Sequence, residues 1–186
     1  MPEVDRPVGI AGAAAALGLH AGAGLDQVRA GLERFSAAFG RFERVRLDTV
    51  DAVLLLVKNP AGANEVIRTL AGDGGTKTLL VALNDRIADG RDVSWIWDVD
   101  FELLAPQADR VICTGTRAAE MGMRLKYADV PADRIEVEPR LAAAVDRVSE
   151  AASGTAYLLA TYTAMLDLRG LLEQRGLVRP YWQEAA

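Results

Sequence analysis

The sequence has 186 residues, of which 51% are apolar and 25% are charged, and its formal net charge is −5. This length and composition are typical of one α/β domain with a shorter appended segment. The negative charge argues against a nucleic-acid or anionic-membrane surface, because phosphate binding needs clustered lysine and arginine. No apolar run approaches the roughly 20 residues of a membrane span.

Histidine and cysteine are each present once, as His20 and Cys113. A single cysteine excludes an internal disulfide, and with the acidic amino-terminal stretch it leads us to expect a cytoplasmic protein. A zinc site of cysteines and histidines cannot be assembled from these two residues. We interpret His20 as a helix-surface residue and Cys113 as a core residue, since a catalytic pair would have to join two distant segments.

Two kinds of pattern divide the chain. Residues 1–40 are predicted to be helical, as an Ala-rich stretch followed by an amphipathic one. Residues 41–186 alternate between strands and helices, which indicates an α/β domain with right-handed crossovers and a mostly parallel sheet flanked by helices. Five or six strands are expected, and the most apolar of them, predicted to be central, are residues 52–57, 78–83 and 110–113.

Ligands bind such sheets beyond the carboxyl ends of the strands. Four polar or glycine-bearing loops fall at those ends: KNPAG at 58–62, NDRIADGRD at 84–92, CTGTR at 113–117 and ATYTAM at 160–165. The sequence therefore predicts that this edge is the working face of the domain.

The KNPAG loop has two interpretations. Asn59 followed by Pro60 is ordinary helix-start chemistry, in which the asparagine caps the helix and the proline occupies its first turn. Lys58, however, would place a cation where an anion meets a helix amino terminus, an arrangement suited to phosphate. The local sequence does not decide between a helix cap and a phosphate contact for this loop.

The segment from Ala82 to Glu102 contains the most information. Two tryptophans, Trp95 and Trp97, stand in what is predicted to be a short extended piece, where both would point the same way and form a surface aromatic patch for a partner. Packing of both on the flank of the domain is the structural alternative. Five aspartates in this segment could cap turns or hold Mg²⁺; they are Asp85, Asp89, Asp92, Asp98 and Asp100.

Taken in order, these motifs resemble the carboxy-terminal domain of the MurT family. The order is GR-x-E, KNPAG-x-N, LND-x-x-ADGRD-x-SWIWD-x-DFE, TGTRAAE-x-x-x-RLKYA and a Tyr-Thr pair before the last helix. The resemblance covers nearly the whole chain, and the ADGRDVSWIWD string is its most specific part. It implies the Rossmann-like fold of the carboxy-terminal domain of Mur ligases.

The resemblance also implies a function. MurT pairs with GatD, a glutaminase subunit, in a carbon–nitrogen ligase of peptidoglycan biosynthesis that uses ATP, Mg²⁺ and glutamine. This enzyme amidates the α-carboxylate of D-isoglutamate in lipid II. Carried over by motif, Asp92 would complete the Cys–His pair of GatD across the interface, with Arg91, Trp95 and Trp97 docking the glutaminase. Lys58, Asn59 and Arg41 would lie towards the nucleotide.

Some parts of a full MurT are not found in the sequence, namely the phosphate-binding loop, the central ATPase domain and the four-cysteine zinc ribbon. We therefore expect residues 1–40 to be the end of that ATPase domain and residues 41–186 to be the carboxy-terminal domain. By itself the chain is expected to be inactive and to bind ATP weakly or not at all. Two alternatives stay open: a non-catalytic protein-binding module, and a small nucleotide-binding α/β protein that uses KNPAG and TGTR.

Overall fold

The computed structural model describes residues 8–34 and 41–178, with side chains for 12–32 and 42–178. The chain divides into two compact units, Met1–Ala38 and Phe39–Ala186. The first contains helices α1 (Val8–His20) and α2 (Leu25–Arg34). Gly18 lets these helices approach closely, because a Cβ there would lie 3.1 Å from the side chain of Val28. No described helix is long and apolar enough to cross a membrane.

The second unit is built on one six-stranded sheet. Its strands are β1 (Arg41–Leu47), β2 (Val50–Leu56), β3 (Lys77–Ala82), β4 (Ala108–Thr114), β5 (Ile135–Val137) and β6 (Ala156–Ala160). Their order across the sheet is β1-β2-β6-β3-β4-β5, and only the β1–β2 pair is antiparallel. The predicted α/β fold with a mostly parallel sheet and three apolar central strands is confirmed.

Four α-helices flank this sheet: α3 (Pro60–Gly72), α4 (Ala118–Tyr127), α5 (Leu141–Ala151) and α6 (Tyr162–Gln174). Alternate residues of a strand point to opposite faces, so Leu79 and Val81 belong to a core that includes residues of α3 and α4. Leu80 and Ala82 belong to a second core with residues of α5 and α6. Strand β3 is therefore buried along its whole length, which explains its continuous apolar sequence.

The stretch between β3 and β4 differs from the sequence prediction. Residues Ser94–Asp98 and Phe101–Leu103 form two 3₁₀ helices rather than an extended piece. Hydrogen bonds from the N–H of Ile96 to the carbonyl of Val93 (3.1 Å) and from Val99 to Ile96 (3.4 Å) define the first of them. The prediction was wrong because alternation of apolar side chains does not distinguish a strand from a short helix anchored by tertiary contacts.

Candidate functional site

The four loops predicted at the working face come together at the carboxyl edge of the sheet. Strand neighbours hold them there: the N–H of Leu83 donates to Thr114 (2.9 Å), that of Thr161 to Ala82 (3.0 Å), and that of Val57 to Ala160 (2.9 Å). Because β2, β6, β3 and β4 are parallel neighbours, the segments that follow them emerge side by side. The predicted edge is thus a real feature of the fold.

Asn84 is the centre of this edge, and the sequence analysis did not single it out. Its side chain is buried; Oδ1 accepts from the N–H of Thr116 (3.0 Å), and Nδ2 donates to the hydroxyl of Thr163 (3.0 Å). Its N–H donates to the hydroxyl of Thr161 (3.0 Å). One amide therefore joins the loops after β3, β4 and β6. A polar residue directly after a fully buried strand was the available signal, because buried polar groups need partners.

Gly115, in the CTGTR loop, is required by the close approach of this loop to Asn84. Its φ is +96°, and a Cβ would lie 2.5 Å from the carbonyl oxygen of Leu83 and 2.7 Å from Oδ1 of Asn84. The glycine thus has a structural explanation that needs no phosphate.

Asp85 is committed to the CTGTR loop. Its carboxylate accepts from the hydroxyl of Thr116 (2.8 Å) and from Nε of Arg117 (2.8 Å). These bonds, that from Thr116 first, lower the pKa of Asp85. Asp85 is therefore a loop-fixing carboxylate.

Asp89 is committed to helix α6. Its Oδ1 accepts from the N–H of Thr163 (2.7 Å) and its Oδ2 accepts from the hydroxyl of the same residue. A carboxylate at this position satisfies an otherwise unpaired N–H of the first helical turn and interacts favourably with the helix dipole. Both oxygens of Asp89 are thus used inside the domain.

Asp92 has a different environment. It is exposed, and its Oδ1 accepts from the N–H of Ser94 (2.8 Å), the first residue of the 3₁₀ helix Ser94–Asp98. Hydrogen bonds from Ser94 lower the pKa of Asp92, so the group is ionised at neutral pH. Ser94 is its only hydrogen-bond partner in the described part of the chain. Asp92 is therefore anchored by one neighbour and open to solvent.

The remaining aspartates of the segment lie towards helix α3. The N–H of Asp100 donates to Oδ1 of Asn64 (2.7 Å), whose Nδ2 donates to the carbonyl of Asp98 (3.1 Å). The carboxylate of Asp100 pairs with Arg68 at 3.2 Å. Residues 8–34 and 41–178 contain no group of three acidic, histidine or cysteine side chains that could hold a metal ion. The carboxylates of Asp85, Asp89, Asp92 and Asp100 thus make separate local contacts.

Trp95 and Trp97 do not form one patch, which corrects the expectation that both point the same way. Trp95 is partly buried and packs against the core shared with α3 and α4. Trp97 is 52% exposed and meets the ring of Tyr127 edge-on, with centroids 5.6 Å apart. The 3₁₀ helix has three residues per turn, so positions two apart face different directions.

Arg124 on helix α4 fixes this segment, and the sequence analysis missed it. Its guanidinium is buried and donates to the carbonyls of Ile96 (3.0 Å) and Val99 (2.6 Å). It also pairs with Glu102 at 2.9 Å and lies over the rings of Trp97 (5.5 Å) and Phe101 (5.4 Å). The planar fork of arginine suits this set of contacts, which a lysine could not reproduce.

The predicted nucleotide residues have mixed outcomes. Asn59 caps helix α3, since its Oδ1 accepts from the N–H of Gly62 (2.9 Å). Lys58 beside it is exposed, and no ion pair links it to the rest of the described chain. Arg41 opens strand β1, and its side chain lies outside the described residues. Arg91 is exposed next to Asp92.

Cys113 lies at the carboxyl end of β4, fully buried. Burial raises the pKa of its thiol to about 12. A thiol with this pKa is protonated at neutral pH and is not a nucleophile. His20 is exposed at the end of α1, in the other unit. The interpretation of both residues as structural agrees with these positions.

Comparison with known proteins gives the chain's relatives. Residues 56–165 match the family described as MurT ligase C-terminal. The chain is 36% identical over 168 residues to the lipid II isoglutaminyl synthase (glutamine-hydrolyzing) subunit MurT of Streptococcus pneumoniae, covering 90% of the chain and 38% of that relative. The same-named subunit of Staphylococcus aureus (strain COL) is 41% identical over 104 residues, covering 55% of the chain and 24% of that relative.

Solved structures show the same fold. MurF from Acinetobacter baumannii aligns with a TM-score of 0.59 at 21% identity, covering 86% of the chain and 37% of MurF. The folylpolyglutamate synthase of Mycobacterium tuberculosis, complexed with ADP, aligns with a TM-score of 0.58 at 22% identity, covering 83% and 37%. The chain spans well under half the length of its curated relatives. By its motifs, its fold and these matches, the chain belongs to the MurT ligase C-terminal family.

Proposed function

We propose that this chain is the part of a glutamine-dependent lipid II isoglutaminyl synthase that docks a GatD-type glutaminase and contributes Asp92 to its active site. The S. pneumoniae relative is named as a glutamine-hydrolyzing subunit, which supports the class of reaction. The observation that carries the proposal is the state of Asp92: exposed, ionised and held by Ser94.

These properties suit the third member of a catalytic triad. In a Cys–His pair, a carboxylate holds the imidazole in one tautomer and stabilises the imidazolium that forms during catalysis. That task needs a carboxylate that stays ionised, reaches the partner's surface and does not swing freely. Asp92 is exposed, and Ser94 lowers its pKa and ties it to the start of a 3₁₀ helix, which supports this role.

The rival carboxylates are less suitable. Asp85 already accepts from Thr116 and Arg117, and both oxygens of Asp89 are bound by Thr163. Release of either one would break contacts that hold its loop, so each would have to give up partners before serving a histidine across an interface. Because Asp85 and Asp89 already make these hydrogen bonds, Asp92 is the better candidate for the carboxylate of the triad.

The docking surface would centre on Trp97 rather than on both tryptophans. Trp97 is adjacent to Tyr127, which is 68% exposed, and Met123 lies one turn before Tyr127 on helix α4. Aromatic and methionine side chains are enriched at the centres of protein interfaces. Arg91 is exposed beside Asp92 and would lie at the edge of the same contact. Trp95 would support this surface from the core.

In the whole enzyme, the ammonia released from glutamine would amidate the α-carboxylate of D-isoglutamate in lipid II, a step of peptidoglycan biosynthesis. ATP, with Mg²⁺, supplies the energy that activates this carboxylate. Lys58 is the described residue that fits a phosphate contact, because it is exposed beside the amino terminus of α3. Asn59 would hold that terminus in place through its cap. Arg41 and the cytoplasmic location stay predictions from the sequence.

The test is the variant Asp92→Asn in the complex with the glutaminase subunit. The amide keeps the shape of the side chain but cannot stabilise an imidazolium. We expect normal folding and complex formation, with glutamine turnover lowered by up to about 10⁴-fold, the loss caused by the same change in a serine protease triad. Turnover is measured as glutamate release at saturating glutamine.

Asp98→Asn is the matched control, because Asp98 is an exposed carboxylate at the other end of the same 3₁₀ helix. This variant should hydrolyse glutamine at the normal rate. In the complete synthase, free ammonia should restore amidation to Asp92→Asn, since the ligase step does not need the glutaminase. Normal glutamine hydrolysis by both Asp92→Asn and Asp89→Asn would leave the domain with a docking role alone.

A further inference from the structure

We propose that Asp89 and Thr163 form a clamp that positions Asp92 for its partner, and that Thr163 is a positioning residue of the glutaminase reaction. This inference rests on the proposed function of Asp92 and deepens it. Its starting point is that the loop carrying Asp92 is attached to helix α6 by its own side chains.

The clamp has two hydrogen bonds to one residue. The N–H of Thr163 donates to Oδ1 of Asp89 at 2.7 Å, and the hydroxyl of Thr163 donates to Oδ2. Both partner groups are donors, so the loop must supply two acceptors at this point. A carboxylate provides them, whereas an asparagine provides one acceptor and turns a donor towards the hydroxyl. The contact as it stands therefore suits an aspartate better than an asparagine.

Thr163 also links Asp89 to Asn84, the residue at the centre of the sheet edge. Its hydroxyl accepts from Nδ2 of Asn84 at 3.0 Å while it donates to Asp89. Asn84 and Thr163 are both buried, where hydrogen bonds are strong and their orientation is restricted. The hydroxyl thus connects Oδ2 of Asp89 to the buried amide, and its removal would take one hydrogen bond from each of them. Oδ1 of Asp89 would keep its bond to the N–H of Thr163, and Nδ2 of Asn84 would keep its longer bond to Asp167 (3.4 Å).

Two residues, Gly90 and Arg91, separate the clamp from Asp92 along the chain. Gly90 turns the chain with a φ of +87°, and the N–H of Asp89 closes a turn by donating to the carbonyl of Arg86 at 2.9 Å. Arg86 makes a second attachment to α6 through its ion pair with Asp167 at 2.8 Å.

On its other side, Asp92 is bonded to Ser94, in the 3₁₀ helix that Arg124 holds against α4. Asp92 therefore lies between two anchored points, one on α6 and one on α4. Loss of the first would let the carboxylate move relative to the second.

The experiment compares Thr163→Val with Thr163→Ser in the complex with the glutaminase. Valine has the shape of threonine but lacks the hydroxyl, whereas serine keeps it. We expect Thr163→Val to lower kcat for glutamine hydrolysis by about 10- to 100-fold, the effect of misplacing a catalytic group by about 1 Å. KM for glutamine and the Kd of the complex should be unchanged, and Thr163→Ser should restore kcat.

Asp89→Asn is the second variant, in case Thr163→Val does not fold, and it should show the same fall in kcat. Thr69→Val is the control, because among the residues that the structure describes the hydroxyl of Thr69 bonds only to the carbonyl of Glu65 in its own helix, at 2.9 Å. Its kcat should match that of the unmodified chain. Circular dichroism and the Kd of the complex are measured for every variant.

The outcomes separate this inference from the function on which it rests. If Asp92→Asn is slow but Thr163→Val and Asp89→Asn both turn over normally, the clamp has no positioning role. If the variants lose activity only through a weaker complex or loss of folding, their role is structural and the inference fails. If Asp92→Asn is normal and Asp89→Asn is slow, Asp89 is itself the carboxylate lent to the partner, and both proposals are overturned.

Discussion

At the scale of single residues, the edge of the sheet is organised by polar groups that satisfy one another. Asn84 uses its backbone N–H and both ends of its amide, each in a bond to a different threonine. Such a network stabilises only when every member is satisfied, because an unpaired buried polar group costs about 1–3 kcal/mol. The close approach of Gly115 to Asn84 is part of the same arrangement.

The first prediction concerns that approach. Gly115→Ala and Gly90→Ala both place a Cβ on a backbone with positive φ, +96° and +87°. This conformation alone should cost about 1–2 kcal/mol of the free energy of unfolding. Only Gly115 also meets neighbours, with the carbonyl oxygen of Leu83 at 2.5 Å from the new Cβ, so its variant should lose a further 1 to 3 kcal/mol, roughly the penalty of overpacking.

Denaturation in urea measures both variants against the unmodified chain. The space around Gly90 is open, with nothing within 4 Å of an added Cβ, which makes Gly90→Ala the matched control for the backbone term. Equal losses in the two variants would show that the CTGTR loop can move away from Leu83 and that close packing there is unimportant.

At the scale of elements, the 3₁₀ helix Ser94–Asp98 is held from two sides. Arg124 of helix α4 binds its carbonyls, and Asn64 of helix α3 bonds to the backbone at Asp98 and Asp100. Short 3₁₀ helices have little intrinsic stability, so these tertiary bonds are the reason that the segment adopts this conformation. They also place the two tryptophans in different environments, Trp95 against the core and Trp97 at the surface.

The second prediction distinguishes those two environments. Trp95→Ala should lower the free energy of unfolding by about 3 kcal/mol, because Trp95 packs on the core. Trp97→Ala should cost only about 1 kcal/mol of stability, from the lost contacts with Tyr127 and Arg124. If Trp97 is a docking anchor, its variant should weaken the complex by about 2 kcal/mol, roughly 30-fold in Kd.

Urea denaturation and calorimetric titration with the glutaminase provide the two readouts. A Trp97→Ala variant that unfolds while Trp95→Ala stays stable would reverse the assignment of core and surface. A stable Trp97→Ala variant that binds the glutaminase normally would move the docking surface away from Tyr127 and Met123.

At the scale of the whole molecule, the sheet separates two apolar cores, and β3 and β6 are buried along their full length. Cys113 lies inside one of these cores, on β4. It is the only cysteine of the chain, so its reactivity reports the opening of the sheet.

The third prediction uses this thiol. In the native chain Cys113 should not react with a thiol reagent at pH 8, because burial raises its pKa to about 12 and excludes the reagent. Unfolding in denaturant should expose one titratable thiol per chain. Fast labelling of the native chain would contradict the burial of β4.

The pH dependence of stability follows from the same shift. The thiol of the unfolded chain has an ordinary pKa of 9.0, so it loses its proton above that pH. The folded chain keeps the proton to higher pH, because burial raises the pKa of Cys113. The contribution to stability is complete below pH 9 and is lost as the pH rises towards about 12. Replacement of Cys113 by alanine should reduce the loss of stability at alkaline pH. An unchanged loss in this variant would show that other groups cause it.

The sequence alone determined the class of fold and predicted which loops lie at the carboxyl edge of the sheet. Long apolar runs such as those of β2 and β3 occur where both faces of a strand are covered, and the alternation with helices implies parallel crossovers. The string ADGRDVSWIWD was specific enough to indicate the family. These features depend on local pattern and composition, which a sequence displays directly.

Tertiary structure alone decided which polar side chains are bonded within the domain and which are exposed to solvent. Asp85, Asp89 and Asp92 look equivalent in sequence, but their hydrogen-bond partners differ. Asp85 accepts from Thr116 and Arg117, and Asp89 accepts from Thr163. Asp92 accepts from its near neighbour Ser94. Most of these contacts join residues far apart in the chain, so no local pattern encodes them. The same reason explains the missed Arg124 and Asn84, and the 3₁₀ helix that turned Trp95 inwards and Trp97 outwards.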